Sequence, residues 1–245
     1  MISSANKLLI INKKGDARSQ LVGVRGCDIM PVDLEYLSIE TEDMIKKNEL
    51  PENIRMDERV KKHIKVYMDF LFESNQTINL ISRKMSRDHL FRLVWETIFI
   101  NPLISKAGII DAGSGNGLLG VPLAFLDSKR PVVLVETKSK KVEFLRRVTE
   151  HMSLENVKIH EGEIRDYLKK TPSPKFTLVA RGFPKPEILV QQLQRRLIGE
   201  ILAITAKRKI TKIKKGMERI SQKIYNIPLR DNIVIFKMEN VSRET

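Results

Sequence analysis

Apolar positions between residues 57 and 102 recur at helical spacing. After Asp57, apolar residues return every three or four positions with lysines between them, which predicts an amphipathic helix with one basic face. Ser86 is a suitable N-cap for a second helix, and Pro102 ends it. The apolar faces of these helices consist of Val60, Ile64, Tyr67, Met68 and Leu71 in the first, and Leu90, Leu93, Val94 and Ile98 in the second.

Beyond residue 106, short β-branched runs alternate with helical stretches, which is typical of a parallel sheet covered on both faces. Two final apolar runs, IYNIPL and NIVIFKM, flank residues 230–232 and predict an antiparallel hairpin. We therefore expect a Rossmann-like α/β fold with a mostly parallel, seven-stranded sheet, helices on both faces and a C-terminal antiparallel hairpin. The other predicted strands are Gly108–Asp111, Pro131–Glu136, Asn156–His160, Phe176–Ala180 and Ile201–Thr205, and the predicted helices are Leu118–Phe125, Ser139–His151 and Pro186–Leu197.

A glycine-dense turn, DAGSGNGLLG, joins the first predicted strand to its helix. Glycines let the backbone approach a ligand and adopt positive φ. The helix start presents N–H groups that suit a carboxylate or phosphate. A polar ligand is therefore expected here, and the residues predicted to bind it are Asp111, Gly113, Ser114, Gly115, Gly117, Leu118 and Glu136.

Two cofactors compete for this turn. Residues 115–120 match the dinucleotide fingerprint GxGxxG. Asp111, however, ends the strand, where an anion would repel a pyrophosphate and attract the sulfonium and ammonium of S-adenosylmethionine. Glu136 ends the next strand, where a carboxylate can bind ribose hydroxyls. We favour S-adenosylmethionine over NAD. Purely structural alternatives are a capping role for Asp111 or Glu136, and helix–sheet packing for Gly120.

The charge balance favours a polyanionic partner, and the alternative is that the charge serves solubility alone. The formal net charge is +14, which favours nucleic acid first and an anionic lipid surface second.

The single cysteine, Cys27, excludes an internal disulfide, and the four histidines show no metal-ligand spacing, so we expect no metal. No apolar run is long enough for a membrane span, and a cytoplasmic monomer is expected. The basic residues cluster at Lys138, Lys140, Lys141, Arg146 and Arg147, and at Lys207, Arg208, Lys209, Lys212, Lys214 and Lys215.

Three segments together resemble a known family. IIDAGSGNGLLGVPLAF, LVETKSKKVEFLRRVTEHMSLENVKIHEGEI and LVARGF are similar to the small-subunit ribosomal RNA methyltransferase G family, also called glucose-inhibited division protein B, and the resemblance covers about residues 60–240. It implies a cytoplasmic enzyme that uses S-adenosylmethionine to methylate guanine N7 of 16S ribosomal RNA, with that RNA or the small ribosomal subunit as partner. In addition to cofactor contacts at the loop glycines and Glu136, it implies adenine-side contacts at Glu163 and Ile164.

Two arginines are the candidates on the substrate side. Arg181 matches the arginine of the family's Ser-Arg pair, and Arg92 begins the stretch that matches its Arg-His-Ile-Leu-Asp-Ser helix. A guanidinium can hydrogen-bond guanine O6 or clamp a phosphate. We predict catalytic roles for both, and Arg181 also borders the cofactor. The alternative is ion pairing, for Arg92 with Glu96 along the helix. Trp95 could stack on a base, although core packing is favoured.

Several positions depart from the family pattern. Leu93 stands in place of histidine, Glu96 in place of aspartate and Leu119 in place of proline, and Thr205 stands where the family has a lysine, which is displaced to Lys207 here. A relative that binds cofactor and RNA without methylating is therefore the alternative function, followed by an NAD-dependent enzyme. The predicted organisation is an N-terminal segment of unknown role at 1–57, a helical portion at 58–105 and a methyltransferase domain at 106–240.

Overall fold

The structure is a computed structural model, and it describes residues 57–214, 220–227 and 230–240. The N-terminal segment other than Asp57 lies outside the described residues, and so do Cys27 and Lys215. Within the described part of the chain, no helix is both long and apolar enough to cross a bilayer.

Two capped helices precede the sheet, as predicted. Helix α1 (Glu58–Ser74) begins after Asp57, whose Oδ1 accepts a hydrogen bond from the Val60 amide at 2.8 Å. Helix α2 (Arg87–Ile100) begins after Ser86, whose Oγ accepts one from the His89 amide at 3.1 Å. A short 3₁₀ turn, Asn101–Leu103, carries Pro102 and follows α2. The apolar positions predicted to face the core are buried, apart from the half-buried Leu93.

A seven-stranded sheet in the order β3-β2-β1-β4-β5-β7-β6 confirms the predicted fold class. The first five strands pair in parallel, whereas β7 is antiparallel to both β5 and β6. The strands are β1 (Gly108–Ala112), β2 (Val132–Glu136), β3 (Val157–Glu161), β4 (Ser173–Arg181), β5 (Ile198–Ala206), β6 (Ile220–Ile227) and β7 (Arg230–Asn240). The helices between them are α3 (Gly120–Leu126), α4 (Ser139–His151), α5 (Ile164–Lys170), α6 (Pro186–Gln194) and α7 (Lys207–Lys214).

The structure corrects several predicted elements. Residues 230–232, expected in the hairpin turn, begin β7, and Arg230 pairs with Ile227 of β6. Helix α6 ends at Gln194 rather than Leu197, because Arg196 adopts a left-handed φ of 57°. Helix α3 begins at Gly120 rather than Leu118. Helices α5 and α7 were not predicted, and α7 contains most of the second basic cluster.

Two apolar layers cover the sheet. Alternation along β1 sends Ile109 into the layer formed with α1 to α4, and Ile110 into the layer formed with α5 to α7. Both faces of the central strands are therefore buried, and the ends of the strands are left to carry polar groups.

Candidate functional site

The turn after β1 opens a cleft at the carboxyl edge of the parallel strands. Gly113, Gly115 and Gly117 have φ values of 70°, 60° and 82°, which side-chain-bearing residues rarely adopt. At Gly117 a Cβ would also lie 2.7 Å from Cγ2 of Val121. The cleft has a volume of about 180 Å³. It is lined by Leu80, Asp111, Gly113, Ser114, Gly115, Asn116, Leu118, Leu119, Lys141 and Arg181.

Asp111 is a buried carboxyl group in the wall of this cleft, with 2% of the residue exposed. Its Oδ2 accepts a hydrogen bond from the Gly120 amide at 3.0 Å. Asp111 therefore has the structural role at the helix start that the sequence offers as an alternative to cofactor binding. Burial raises the pKa of Asp111 to about 7, although hydrogen bonds from Gly120 and Ser114 and the charge of Arg181 oppose the shift. A cation in the cleft would therefore meet a carboxyl group that ionises near neutral pH.

Glu136 folds back onto the glycine turn. Its Oε2 accepts from the Gly115 amide at 2.8 Å, and its Oε1 accepts from the amides of Thr137 at 2.8 Å and Lys138 at 3.0 Å. The carboxylate thus ties the end of β2 to the turn and to the residues before α4. Among the described residues Oε2 accepts from the Gly115 amide alone and has a further lone pair, and its role toward ribose stays a prediction.

Arg181 lines the cleft from the end of β4 and is held from α2. Its Nη1 lies 2.6 Å from Oε2 of Glu96, and its Nη2 donates to the Leu93 carbonyl at 2.9 Å. Glu96 is 2% exposed at its side chain and Arg181 is 20% exposed. Glu96 therefore pairs with Arg181, whereas Arg92 is exposed on the same helix.

The remaining predicted residues divide into two groups. Ser114 and Leu118 line the cleft with Gly113 and Gly115, whereas Gly117 and Glu136 are not among the lining residues. Glu163 and Ile164 follow β3 at the same edge of the sheet, but they are not among the lining residues; Glu163 is exposed and Ile164 is buried. Trp95 is buried in the core, as favoured.

Gly120 is a packing glycine, as proposed, because a Cβ there would collide with Leu134 of β2. Sequence reasoning missed other members of the site. Leu80, Asn116, Leu119 and Lys141 line the cleft, and Phe183 lies beside the turn, 3.6 Å from the position of a Cβ at Gly113. Lys141 is predicted only as a member of the first basic cluster, and residues 78–82, which contain Leu80, carry no sequence signal for this contact.

Exposed basic side chains flank the cleft on two helices. Lys138 and Lys140 at the start of α4 are exposed, as are Lys207, Arg208 and Lys209 at the start of α7. Both groups follow carboxyl ends of parallel strands, so they lie along the edge of the sheet that holds the cleft. Arg146 and Arg147 are further along α4; Arg146 lies near Glu161, at 3.7 Å, and Arg147 over the ring of Phe70.

This strand order, with a glycine turn after β1 and acidic residues ending β2 and bordering the turn, is the class I fold of S-adenosylmethionine-dependent methyltransferases. An O-methyltransferase from Bacillus cereus, solved in complex with SAH, has the same fold with a TM-score of 0.55. It is 15% identical, and the match covers 85% of this chain and 100% of that one.

The particular family is shown by sequence. The model of the family described as rRNA small subunit methyltransferase G matches residues 60–228, and the chain belongs to this family. Relatives named Ribosomal RNA small subunit methyltransferase G include one from Yersinia enterocolitica, 30% identical over 119 residues, covering 49% of this chain and 58% of the relative. Another, from Nitrosococcus oceani, is 29% identical over 154 residues, covering 62% and 71%. The chain thus spans 58% of the length of the first of these relatives.

Proposed function

We propose that this protein transfers a methyl group from S-adenosylmethionine to guanine N7 of 16S ribosomal RNA, in the cytoplasm. The observation that carries the proposal is the cleft between the glycine turn, Asp111 and Arg181, in a chain of this family. In this proposal residues 106–240 form the methyltransferase domain and residues 58–105 its helical N-terminal portion.

The chemistry of the cleft suits the proposed cofactor. S-adenosylmethionine supplies an electrophilic methyl group on a positively charged sulfur. Asp111, when ionised, offsets positive charge from a buried position in the wall of the cleft. The glycine turn permits close backbone approach, and Leu118 and Leu119 add apolar lining. Glu136 holds the turn through the Gly115 amide and is the candidate for ribose hydroxyls.

The proposed reaction needs little from acid–base groups. Guanine N7 has a lone pair and no proton, so no general base is required, and orientation of the base supplies most of the rate. Arg181 borders the cleft and can donate to guanine O6 or to a phosphate, while Glu96 and the Leu93 carbonyl fix its guanidinium. Arg92, exposed on α2, is the second candidate for RNA contact.

The exposed lysines and arginines at the starts of α4 and α7 are the proposed contacts for RNA phosphates. Such contacts orient the nucleic acid without reading its sequence, and they weaken as salt rises.

The test is methyl transfer from labelled S-adenosylmethionine to small ribosomal subunits, and separately to naked 16S RNA, that lack N7-methylguanine. Digestion and mass mapping should find the label in N7-methylguanosine. Calorimetry with S-adenosylmethionine and with NAD supplies the control for cofactor identity. Binding of cofactor and RNA without transfer would support the non-methylating alternative, which the departures at Leu93 and Glu96 favour. Binding of NAD alone would contradict both.

A further inference from the structure

Two buried hydroxyl groups join the N-terminal helices to the glycine turn. The Tyr67 hydroxyl on α1 donates to the Asn116 carbonyl at 2.8 Å. The Thr97 hydroxyl on α2 donates to the Leu118 carbonyl at 2.8 Å, a shorter contact than its 3.4 Å approach to the Leu93 carbonyl of its own helix. Both residues are fully buried, so water cannot substitute for either hydroxyl.

The sequence of the turn explains why Asn116 needs an outside donor. A carbonyl that leads into a helix ordinarily accepts from the amide four residues later. For Asn116 that amide belongs to Gly120, and it donates to Oδ2 of Asp111 at 3.0 Å. The Gly120 amide therefore bonds to the Asp111 carboxyl group instead of the Asn116 carbonyl. The Tyr67 hydroxyl donates to the Asn116 carbonyl in its place.

Leu118 lacks its local donor for a different reason. The residue four positions later is Pro122, which has no backbone N–H. Between these two positions the pattern is regular, because the Gly117 carbonyl accepts from the Val121 amide at 3.0 Å. Thr97 thus completes the hydrogen bonding that proline removes. The Asn116 residue is buried and Leu118 is half-buried, and a carbonyl shielded from water is costly without a donor, so the conformation of the turn depends on both hydroxyls.

A third contact extends this connection. The Asn116 side-chain amide donates to the Leu80 carbonyl at 3.3 Å, in the segment between α1 and α2. Leu80 and Asn116 both line the cleft. One wall of the cleft is therefore built from the N-terminal portion of the chain and from the turn that this portion holds.

We propose that Tyr67 and Thr97 are positioning residues of the cofactor site, so that cofactor affinity depends on α1 and α2 as well as on the sheet. This inference rests on the proposed function, because it takes S-adenosylmethionine as the ligand of the cleft. Neither hydroxyl lines the cleft; each acts through the backbone of the glycine turn.

The chain offers a matched control. Thr177 in β4 is also a fully buried threonine, and its hydroxyl donates to Oε1 of Glu200 at 2.6 Å, away from the cleft. Thr97→Val and Thr177→Val each remove one buried hydroxyl from a side chain of the same shape. Calorimetric titration of the full chain with S-adenosylmethionine should give an affinity about ten-fold weaker for Thr97→Val, the scale of one buried acceptor left unpaired. Thr177→Val should bind like the wild type, and Thr97→Ser should recover most of the affinity.

Tyr67→Phe provides the second variant, with the ring retained, and should also weaken binding; it decides the matter if Thr97→Val does not fold. Thermal melts of every variant report the loss of stability separately. Equal affinity of wild type, Thr97→Val and Tyr67→Phe would overturn the inference, and so would an equal loss of affinity in Thr177→Val. A wild-type chain that binds no S-adenosylmethionine would instead overturn the proposed function, together with the inference that rests on it.

Discussion

The ion pair between Arg181 and Glu96 gives the sharpest prediction. Glu96→Gln keeps the size of the side chain and an oxygen that can accept, but it removes the negative charge that faces the guanidinium at 2.6 Å. Removing one partner of a buried pair commonly costs about 3–5 kcal/mol. Here Arg181 keeps 20% exposure and its bond to the Leu93 carbonyl, and the glutamine oxygen still accepts. We therefore expect a loss of about 1–3 kcal/mol in the free energy of unfolding.

The assay is chemical denaturation of Glu96→Gln, Arg181→Gln and the double variant. If the two side chains interact as the structure shows, the losses of the single variants should not add, and the coupling should exceed about 0.5 kcal/mol. The same three proteins should be tested for methyl transfer at saturating S-adenosylmethionine. Glu96→Gln should lower transfer less than Arg181→Gln, because it disorders the arginine without removing it. Additive losses of stability would contradict the interaction between Arg181 and Glu96, and transfer unaffected by Arg181→Gln would contradict a role for Arg181 in the reaction.

Three further predictions address the turn, its carboxyl group and the basic edge. Gly117→Ala places a Cβ against Val121 at a φ of 82°, and should lower stability by about 1–3 kcal/mol in denaturant melts and weaken cofactor binding. Because the pKa of Asp111 is raised to about 7, its carboxyl group ionises as pH rises; affinity for the cationic cofactor should therefore increase between about pH 6 and pH 8, and Asp111→Asn should abolish that increase in calorimetric titrations. Replacing Lys207, Arg208 and Lys209 by glutamine should reduce the salt dependence of RNA affinity by roughly two to three phosphate contacts, measured by filter binding over a salt series; an unchanged slope would remove α7 from the RNA-binding surface.

Local signals in the sequence were sufficient for much of the fold. Helices α1 and α2 carry both an apolar period and a side-chain cap, at Asp57 and Ser86, so their starts were predictable to the residue. Helix α5 has seven residues and buries only Ile164 and Leu168, which is too little for a helical period to be recognised. Helix α7 is so rich in lysine and arginine that no apolar period was recognised in it.

The site was predictable where it follows from a single segment. The glycine turn and Asp111 are contiguous in sequence, and both line the cleft. Pairing between Arg181 and Glu96 spans 85 positions, and the nearer arginine on α2 offered a simpler partner for the glutamate. The return of Glu136 to the Gly115 amide likewise depends on how two parallel strands end beside each other, which no spacing in the sequence specifies.

The strand order has a consequence for the order of assembly. Strand β7 lies between β5 and β6, and β6 is the edge strand whose neighbour is β7. During synthesis, β6 leaves the ribosome before β7, which is its neighbour in the sheet. Strand β6 therefore stays unpaired until β7 docks against β5. Until then the edge of β5, with the unpaired backbone groups that later bond to β7, is open to other chains. A polypeptide that ends before residue 230 would leave this edge of β5 unpaired, and we expect it to aggregate or to be bound by chaperones.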